Sequence, residues 1–524
     1  MTDAGVLRAA PRAGRLVWPL SILALWEIAG NRPGVAFLVA PPSGIAVHLW
    51  QNAGLMGRAL SETLVNATLG FAAGNAAAIA LAALAMLLPR AERAIAGLAL
   101  LVFCLPLVAT GPILRVLYGP GPGPQITLAA LAVYYTTFVP LLVGLRAAPA
   151  VWFDLVHSYG RGRGATLVHV RAMAALPYLF AGLQIAAPAA FLGAMVGEFT
   201  GAERGMGVLT VRAMRGLDAE ATWALAVVAA AVSTLAYAGV GALGRRLLPD
   251  APPVILSPPR EPGRATRAWH APLRAVGVLA LALAVWWAAM DIAGLNPFFA
   301  KRPDDVWQAL FTDPDAAATR AALWTAMAQT GAALVPGYVA GLGLGAALAV
   351  ALVLRPGLAS VAMPVAVTLR AVPIVTTAPL VVLALGRGMV GSVTLVAIMV
   401  FFPAFVACLS GLARAPGQVL DVFDAYAAGP LARLLYVRLP AMLPAFFAAA
   451  RMTVPAAVLA VTVVEWLATG QGVGALMALS ASLSDYDMLW SAVVVVAVLS
   501  AAGYAVVGWV EARVLARYAP EQLA

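Results

Sequence analysis

The sequence predicts an all-α polytopic membrane protein of about twelve transmembrane helices, arranged as two parallel six-helix repeats. Three observations carry that prediction: too little charge for a soluble surface, apolar blocks of membrane-spanning length, and an internal duplication. Of 524 residues, 63% are hydrophobic and 11% charged, against about 25% charged in soluble domains. A bilayer core takes about 20 apolar residues per helix, and 222–244 supplies such a run without one charge. In lipid each backbone N–H and C=O must be paired within its own segment, so these blocks are expected to be helices. The period-two alternation of a membrane barrel is lacking.

The first copy predicts helices near 16–30, 65–88, 94–117, 126–148, 179–200 and 222–245. The second predicts them near 273–294, 330–354, 358–385, 391–413, 446–467 and 489–512. The run from Leu16 follows Arg8, Arg12 and Arg15 as a signal peptide would. It holds Trp18, Trp26 and Glu27 and no convincing cleavage site follows, so a first membrane helix is expected.

The duplication aligns without a gap over a long span. Thr63 meets Thr330, Gly70 and Gly74 meet Gly337 and Gly341, and Pro106 and Pro112 meet Pro373 and Pro379. Asp154 meets Asp421, Tyr159 meets Tyr426, Arg171 meets Arg438, and Pro177 meets Pro444. Glu198 meets Glu465, and Gly205 and Gly207 meet Gly472 and Gly474. Apolar composition alone would align Ala with Leu; it would not bring Pro, Gly and acids into one register. The units are 1–246 and 273–524, with coupling segments at 154–177 and 421–444. The Pro/Arg-rich stretch 247–272 between them is expected to be a linker.

An even number of helices per copy makes the repeat parallel rather than inverted. Arginines gather at the N-terminus, at Arg90 and Arg93, in the segment from Arg146 to Arg171, and from Arg245 to Arg274. By the positive-inside rule both termini and the linker are cytoplasmic. The formal charge of +10 does not point to nucleic acid, because these arginines sit in loops rather than in a stripe. Cys104 and Cys408 lie in apolar segments as packed thiols. The four histidines are scattered, and no metal-ligand spacing is visible.

The long segments after each fourth helix share an acid, a small-residue turn, a short amphipathic stretch and a Leu-Pro ending. They resemble the coupling (EAA) loop of binding-protein-dependent ABC importer permeases, most closely those of the nitrate/sulfonate/taurine branch. A Pro-rich third helix, and a glutamate seven residues before Gly-x-Gly, extend the resemblance over most of both copies. It implies the ABC importer permease fold, and coupling to an ATPase through Asp154, Tyr159, Gly160, Arg161, Arg163, Arg171 and Pro177. The second set is Asp421, Tyr426, Ala427, Gly429, Arg438 and Pro444. The acidic start of each segment is expected to favour a helix N-terminus. Where the family has Glu-Ala-Ala, this chain has Asp154-Leu155-Val156 and Asp421-Val422-Phe423. The family glycine is kept at Gly160 and replaced at Ala427, where a turn with positive φ is harder to form. Unequal docking of the two segments is therefore expected.

Pro106, Pro112, Pro373, Pro379, Glu198, Glu465, Gly205, Gly207, Gly472 and Gly474 are candidates for the translocation path or a gate. A carboxylate inside a membrane costs about 2–3 kcal/mol or more, so Glu198 and Glu465 are either functional or paired. One expectation is a gate near the periplasmic mouth; the other is a helix-end carboxylate bonded to amides of the following glycine turn. No G-x-x-x-x-G-K-[ST] phosphate loop is present. The chain thus carries no cofactor of its own: ATP and Mg belong on partner ATPase subunits, two copies, with a periplasmic or lipid-anchored binding protein delivering the solute. The expected place is a bacterial inner membrane. The alternative is a secondary transporter with two parallel six-helix halves, which would need midplane ionisable residues; few stand out beyond Glu198 and Glu465.

Overall fold

The computed structural model describes residues 14–32, 39–119, 121–216, 218–248, 270–358, 378, 381, 384–386 and 388–518. Among them the secondary structure is helical throughout, and eight helices are long and apolar enough to cross a membrane. Linker residues 249–269, most of the predicted helix 358–385, and Pro373 and Pro379 with it lie outside the described residues.

The first half runs α1 (Gly14–Gly30), α2 (Pro42–Gln51), α3 (Ala53–Leu87), α4 (Glu92–Phe103), α5 (Leu107–Tyr118) and α6 (Gly123–Arg146). It continues through α7 (Ala150–Ser158), α8 (Arg163–Thr166), a π turn at Leu167–Arg171, α9 (Ala172–Phe199), α10 (Met206–Arg215) and α11 (Ala219–Leu247). The second half follows with α12 (His270–Ile292), α13 (Pro303–Trp307), α14 (Ala316–Leu354) and α15 (Met389–Ala413). Its remainder is α16 (Gly417–Ala425), α17 (Pro430–Arg433), a π turn at Leu434–Arg438, α18 (Leu439–Val464), a π turn at Glu465–Thr469, α19 (Gly472–Leu483) and α20 (Tyr486–Tyr518).

Three positions of the repeat depart from the sequence expectation. The helix predicted at 65–88 is a 35-residue helix, α3, about 52 Å long. Its counterpart α14 has 39 residues. Both outrun a hydrocarbon core of about 30 Å. Their early turns carry Arg58, Glu62 and Arg320, so the apolar run starts late, but Ala, Leu and Glu keep the backbone helical. The helix predicted at 94–117 is broken: α4 and α5 meet at 91°. Pro106 has no N–H to continue the ladder, and its ring disfavours helical geometry at Leu105. The fifth helices begin earlier than predicted. The last part of each coupling segment runs into the membrane helix without a break, making continuous spans Gly164–Phe199 and Pro430–Thr469. Pro177 and Pro444 consequently lie inside α9 and α18.

Small residues let the helices approach closely, as packing in lipid requires. A Cβ on Gly70 would stand 2.7 Å from the Ile126 carbonyl oxygen, and one on Gly337 would stand 2.8 Å from that of Val393. These are the same contacts in register: the sequence duplication is a duplication in space. The halves share one core. Val108 of α5 and Val196 of α9 pack with Val461 and Val464 of α18. Ala109 and Ile113 of α5 pack with Val473, Leu489 and Trp490. The 91° bend is what delivers α5 into the second half. Helix α12 lies against α4 of the first half, where Gly97 leaves room for Val278. Leu235, Val276 and Val339 face outward as lipid-facing residues do.

Candidate functional site: coupling segments and buried carboxylates

Each coupling segment is built from a short helix, a left-handed turn and the start of the fifth membrane helix. Helix α7 follows Pro149, and α16 follows Pro416. A proline in that place sets φ while costing no hydrogen bond. Asp154 and Asp421 fall at the fifth residue of these helices, not in their first turns. The expected N-terminal dipole interaction is therefore absent, because the helices begin one turn earlier than the acid. Both carboxylates are exposed.

The two helices end alike. Gly160 N–H donates to the His157 carbonyl (2.9 Å) and Arg161 N–H to that of Val156 (3.3 Å). In the second half Ala427 N–H donates to Asp424 (3.0 Å) and Ala428 N–H to Phe423 (2.9 Å). These paired bonds are a Schellman cap, which places the residue after the C-cap in left-handed conformation. Gly160 has φ +67 and Ala427 has φ +50. The turn expected to be harder at Ala427 is thus kept there, with a methyl group in a region that costs L-residues about 1–2 kcal/mol.

The cap leaves an exposed apolar stripe. Val151, Leu155 and Tyr159 are exposed at four-residue spacing, so they share one face of α7. Val419, Val422 and Tyr426 are exposed on α16, and Leu431, Leu435 and Tyr436 continue beyond the turn. Apart from the two tyrosines, the sequence reasoning passed over these residues in favour of charges and glycines; the i, i+4 spacing was the signal that would have found them.

The candidate coupling residues do not all converge on that face. Arg161 is exposed. Arg171 points back: its Nη1 donates to the Leu145 carbonyl (3.0 Å), and its guanidinium lies 4.8 Å from the Phe153 ring. It fastens the segment to the end of α6. Arg163 opens α8 in the backbone, and Arg438 closes the π turn Leu434–Arg438. Gly429 precedes Pro430 in extended conformation as the N-cap of α17. The second segment also carries an ion pair, Arg433 with Asp424, and Arg433 Nε donates to the Ala428 carbonyl (3.0 Å). The first segment has Thr166 and His157 in those places.

At the opposite end of the fifth helices each half buries a glutamate. Glu198 Oε1 accepts from Thr63 Oγ1 (2.7 Å), and Oε2 accepts from Gly207 N–H (2.7 Å). Met206 N–H then donates to Thr63 Oγ1 (2.9 Å). In the second half Glu465 Oε2 accepts from Thr330 Oγ1 (3.0 Å) and Gly474 N–H (2.9 Å), and Val473 N–H donates to Thr330 Oγ1 (2.9 Å). The carboxylate tethers the start of α10 or α19 to α3 or α14, and charge-assisted bonds offset its burial. This is the bonded helix-end arrangement. Gly205 and Gly472 are required for it. Their φ values are +130 and +85, and a Cβ would fall 2.2 Å and 2.1 Å from the carboxylate. Thr63 and Thr330 were seen in the sequence only as aligned residues; 135 positions separate each from its glutamate. Only the second half adds Gln329, whose Oε1 accepts from Gly472 N–H (2.8 Å). Glu62 holds that register position in the first half. Pro106 is the N-cap of α5 and Pro112 lies inside it, at the interface between halves.

Residues 68–249 and 341–516 each match the family described as binding-protein-dependent transport system inner membrane component. A probable ABC transporter permease protein of Haemophilus influenzae is 30% identical over 238 residues, covering 45% of this chain and 94% of the relative. The formylaminopyrimidine transport permease protein ThiX of Halalkalibacterium halodurans is 26% identical, covering 44% of this chain and 92% of the relative. The taurine transport system permease protein TauC of Escherichia coli is 23% identical, covering 44% and 86%. Each relative thus corresponds to about one of the two units. No solved structure matches the chain. Two family matches in one polypeptide, each on a repeat with the same buried carboxylate and capped turn, show that the chain belongs to the binding-protein-dependent ABC importer permeases, with two permease units fused in one chain.

Proposed function

We propose that this chain by itself forms the complete membrane channel of its importer. It lies in a bacterial inner membrane with both termini and the linker cytoplasmic. Two separate ATPase subunits dock on the two coupling segments and carry the ATP and Mg, and a periplasmic or lipid-anchored binding protein delivers the cargo. The observation that carries the reading is the pair of capped helices with exposed stripes, Leu155–Tyr159 and Val422–Tyr426. Water-exposed apolar faces of this kind favour a protein partner, and the unbroken continuation into α9 and α18 makes each a stiff lever. Closure of the ATPases draws the levers together and opens the path outward; hydrolysis resets it. The Glu198 and Glu465 tethers hold the outer ends of the same helices, so we assign them to the outer gate as fixed points. Relatives named for taurine and formylaminopyrimidine support a small polar solute, of the sulfonate or taurine type or related to it, as cargo.

A pull-down of the tagged chain from its native membranes in mild detergent tests this. A phosphate-loop ATPase is expected to co-purify, and to be lost when Leu155 and Tyr159, with Val422 and Tyr426, are changed to Ser. A chain that comes out alone and moves solute in proteoliposomes without ATP would overturn the proposal in favour of a secondary transporter.

A further inference from the structure

The halves enclose a cleft of about 150 Å³ lined by Tyr135, Phe138 and Arg146 of α6 and by Arg451, Met452 and Tyr504 of α18 and α20. Each arginine is held by a glutamate from behind. Arg146 pairs with Glu92, and Arg451 Nε lies 3.0 Å from Glu511 Oε2. In both pairs the cation is the more open member. Side-chain exposure is 30% for Arg146 against 17% for Glu92, and 22% for Arg451 against 6% for Glu511. Neither carboxylate lines the cleft. Its wall therefore presents two guanidiniums, with their counter-charges set back.

The four charges are not repeated by the duplication of the sequence. By register, Gln184 and Gly244 stand where Arg451 and Glu511 are, and Ala359 and Ala413 stand where Glu92 and Arg146 are. A Cβ on Gly508 would stand 3.4 Å from the Arg451 Cδ, so the arginine stem runs beside that glycine. Partly buried ionised side chains in a membrane protein are costly and tend to be functional, and these four are present in one register set and not in the other.

We propose that the cleft is a one-sided site for a small organic anion, a sulfonate or carboxylate, held between the halves as the solute passes. A guanidinium has five N–H donors, and one carboxylate leaves several of them for a second oxyanion. The Tyr135, Phe138 and Tyr504 rings give the organic body an apolar wall, and the Arg451 guanidinium lies 5.7 Å from the Tyr504 ring centroid. The volume is well below the ~300–1,000 Å³ of drug-sized pockets, so the site takes a compact solute. The inference rests on the importer reading for its physiological meaning, but its test needs no ATPase, so the two fail separately.

The full chain in phosphatidylcholine nanodiscs is titrated calorimetrically with ethanesulfonate, and with ethyl methyl sulfone as an uncharged comparison. Saturable binding of ethanesulfonate alone is expected. It should weaken at least tenfold in Arg451→Gln/Glu511→Gly and in Arg146→Ala/Glu92→Ala. These pairs take the residues of the other register and remove each cation together with the carboxylate it faces, and tryptophan fluorescence confirms that each folds. Unchanged affinity in both variants, or equal binding of the sulfone, would overturn the proposal. So would displacement of all ethanesulfonate by phosphatidylglycerol in the disc, which would make the cleft a lipid headgroup site.

Discussion

Thr63 does two jobs at one oxygen: it donates to Glu198 and accepts from Met206 N–H. Thr330 repeats both with Glu465 and Val473. A valine in either place keeps the shape and removes both bonds: Thr63→Val strands Glu198 Oε1 and Met206 N–H, whereas Thr330→Val strands Val473 N–H while Glu465 Oε2 keeps Gly474 N–H. Each unsatisfied group costs about 1–3 kcal/mol. Thr63→Val and Thr330→Val are thus expected to lower the thermal unfolding midpoint by several degrees each, measured on detergent-solubilised protein. The second half loses less, because Gln329 still holds Gly472 N–H. A midpoint unchanged in both variants would show that the tether carries no stability.

At the scale of the element, the coupling segments are alike in backbone and unlike in side chains. Both close with the same cap, and Ala427 already bears the left-handed strain that Gly160 avoids. Gly160→Ala should therefore cost about 1–2 kcal/mol locally and reduce transport a few-fold, while Ala427→Gly leaves transport at or above its starting level. Vesicle uptake driven by the partner ATPases reads both. Equal losses in the two variants would remove the asymmetry. The ion pair of Arg433 with Asp424 braces the second segment, whereas Arg161 stands exposed in the first. Docking through the first segment should accordingly be the more sensitive to salt.

The whole molecule is held by its shared core as well as by its chain. Val108, Ala109, Ile113 and Val196 of the first half sit among second-half residues, and α12 packs on α4. Opening the polypeptide within the linker and co-expressing 1–255 with 256–524 should give two fragments that co-purify and transport. Fragments that purify apart would show that covalent fusion, rather than packing, holds the halves together.

The chain order of Pro, Gly and acidic residues by itself determined the duplication, the membrane class and the two matching segments at 154–177 and 421–444. These are properties of local composition and fixed spacing, which survive without knowledge of contacts. Helix ends were less legible. Hydropathy marks where lipid begins, not where hydrogen bonding stops, so α3 and α14 ran past their apolar stretches. The helix predicted from sequence at 94–117 runs through Pro106; the proline could have marked the break but not its angle, since 91° follows from what α5 packs against. Only the tertiary structure decided that Thr63 and Glu198, 135 residues apart, share a hydrogen bond, and that Arg171 faces inward while Leu155 and Tyr159 face out. It alone set two arginines, Arg146 and Arg451, across one cleft. Such pairings depend on which helix faces lie together, and that is fixed by close packing across the whole bundle rather than by any stretch of chain.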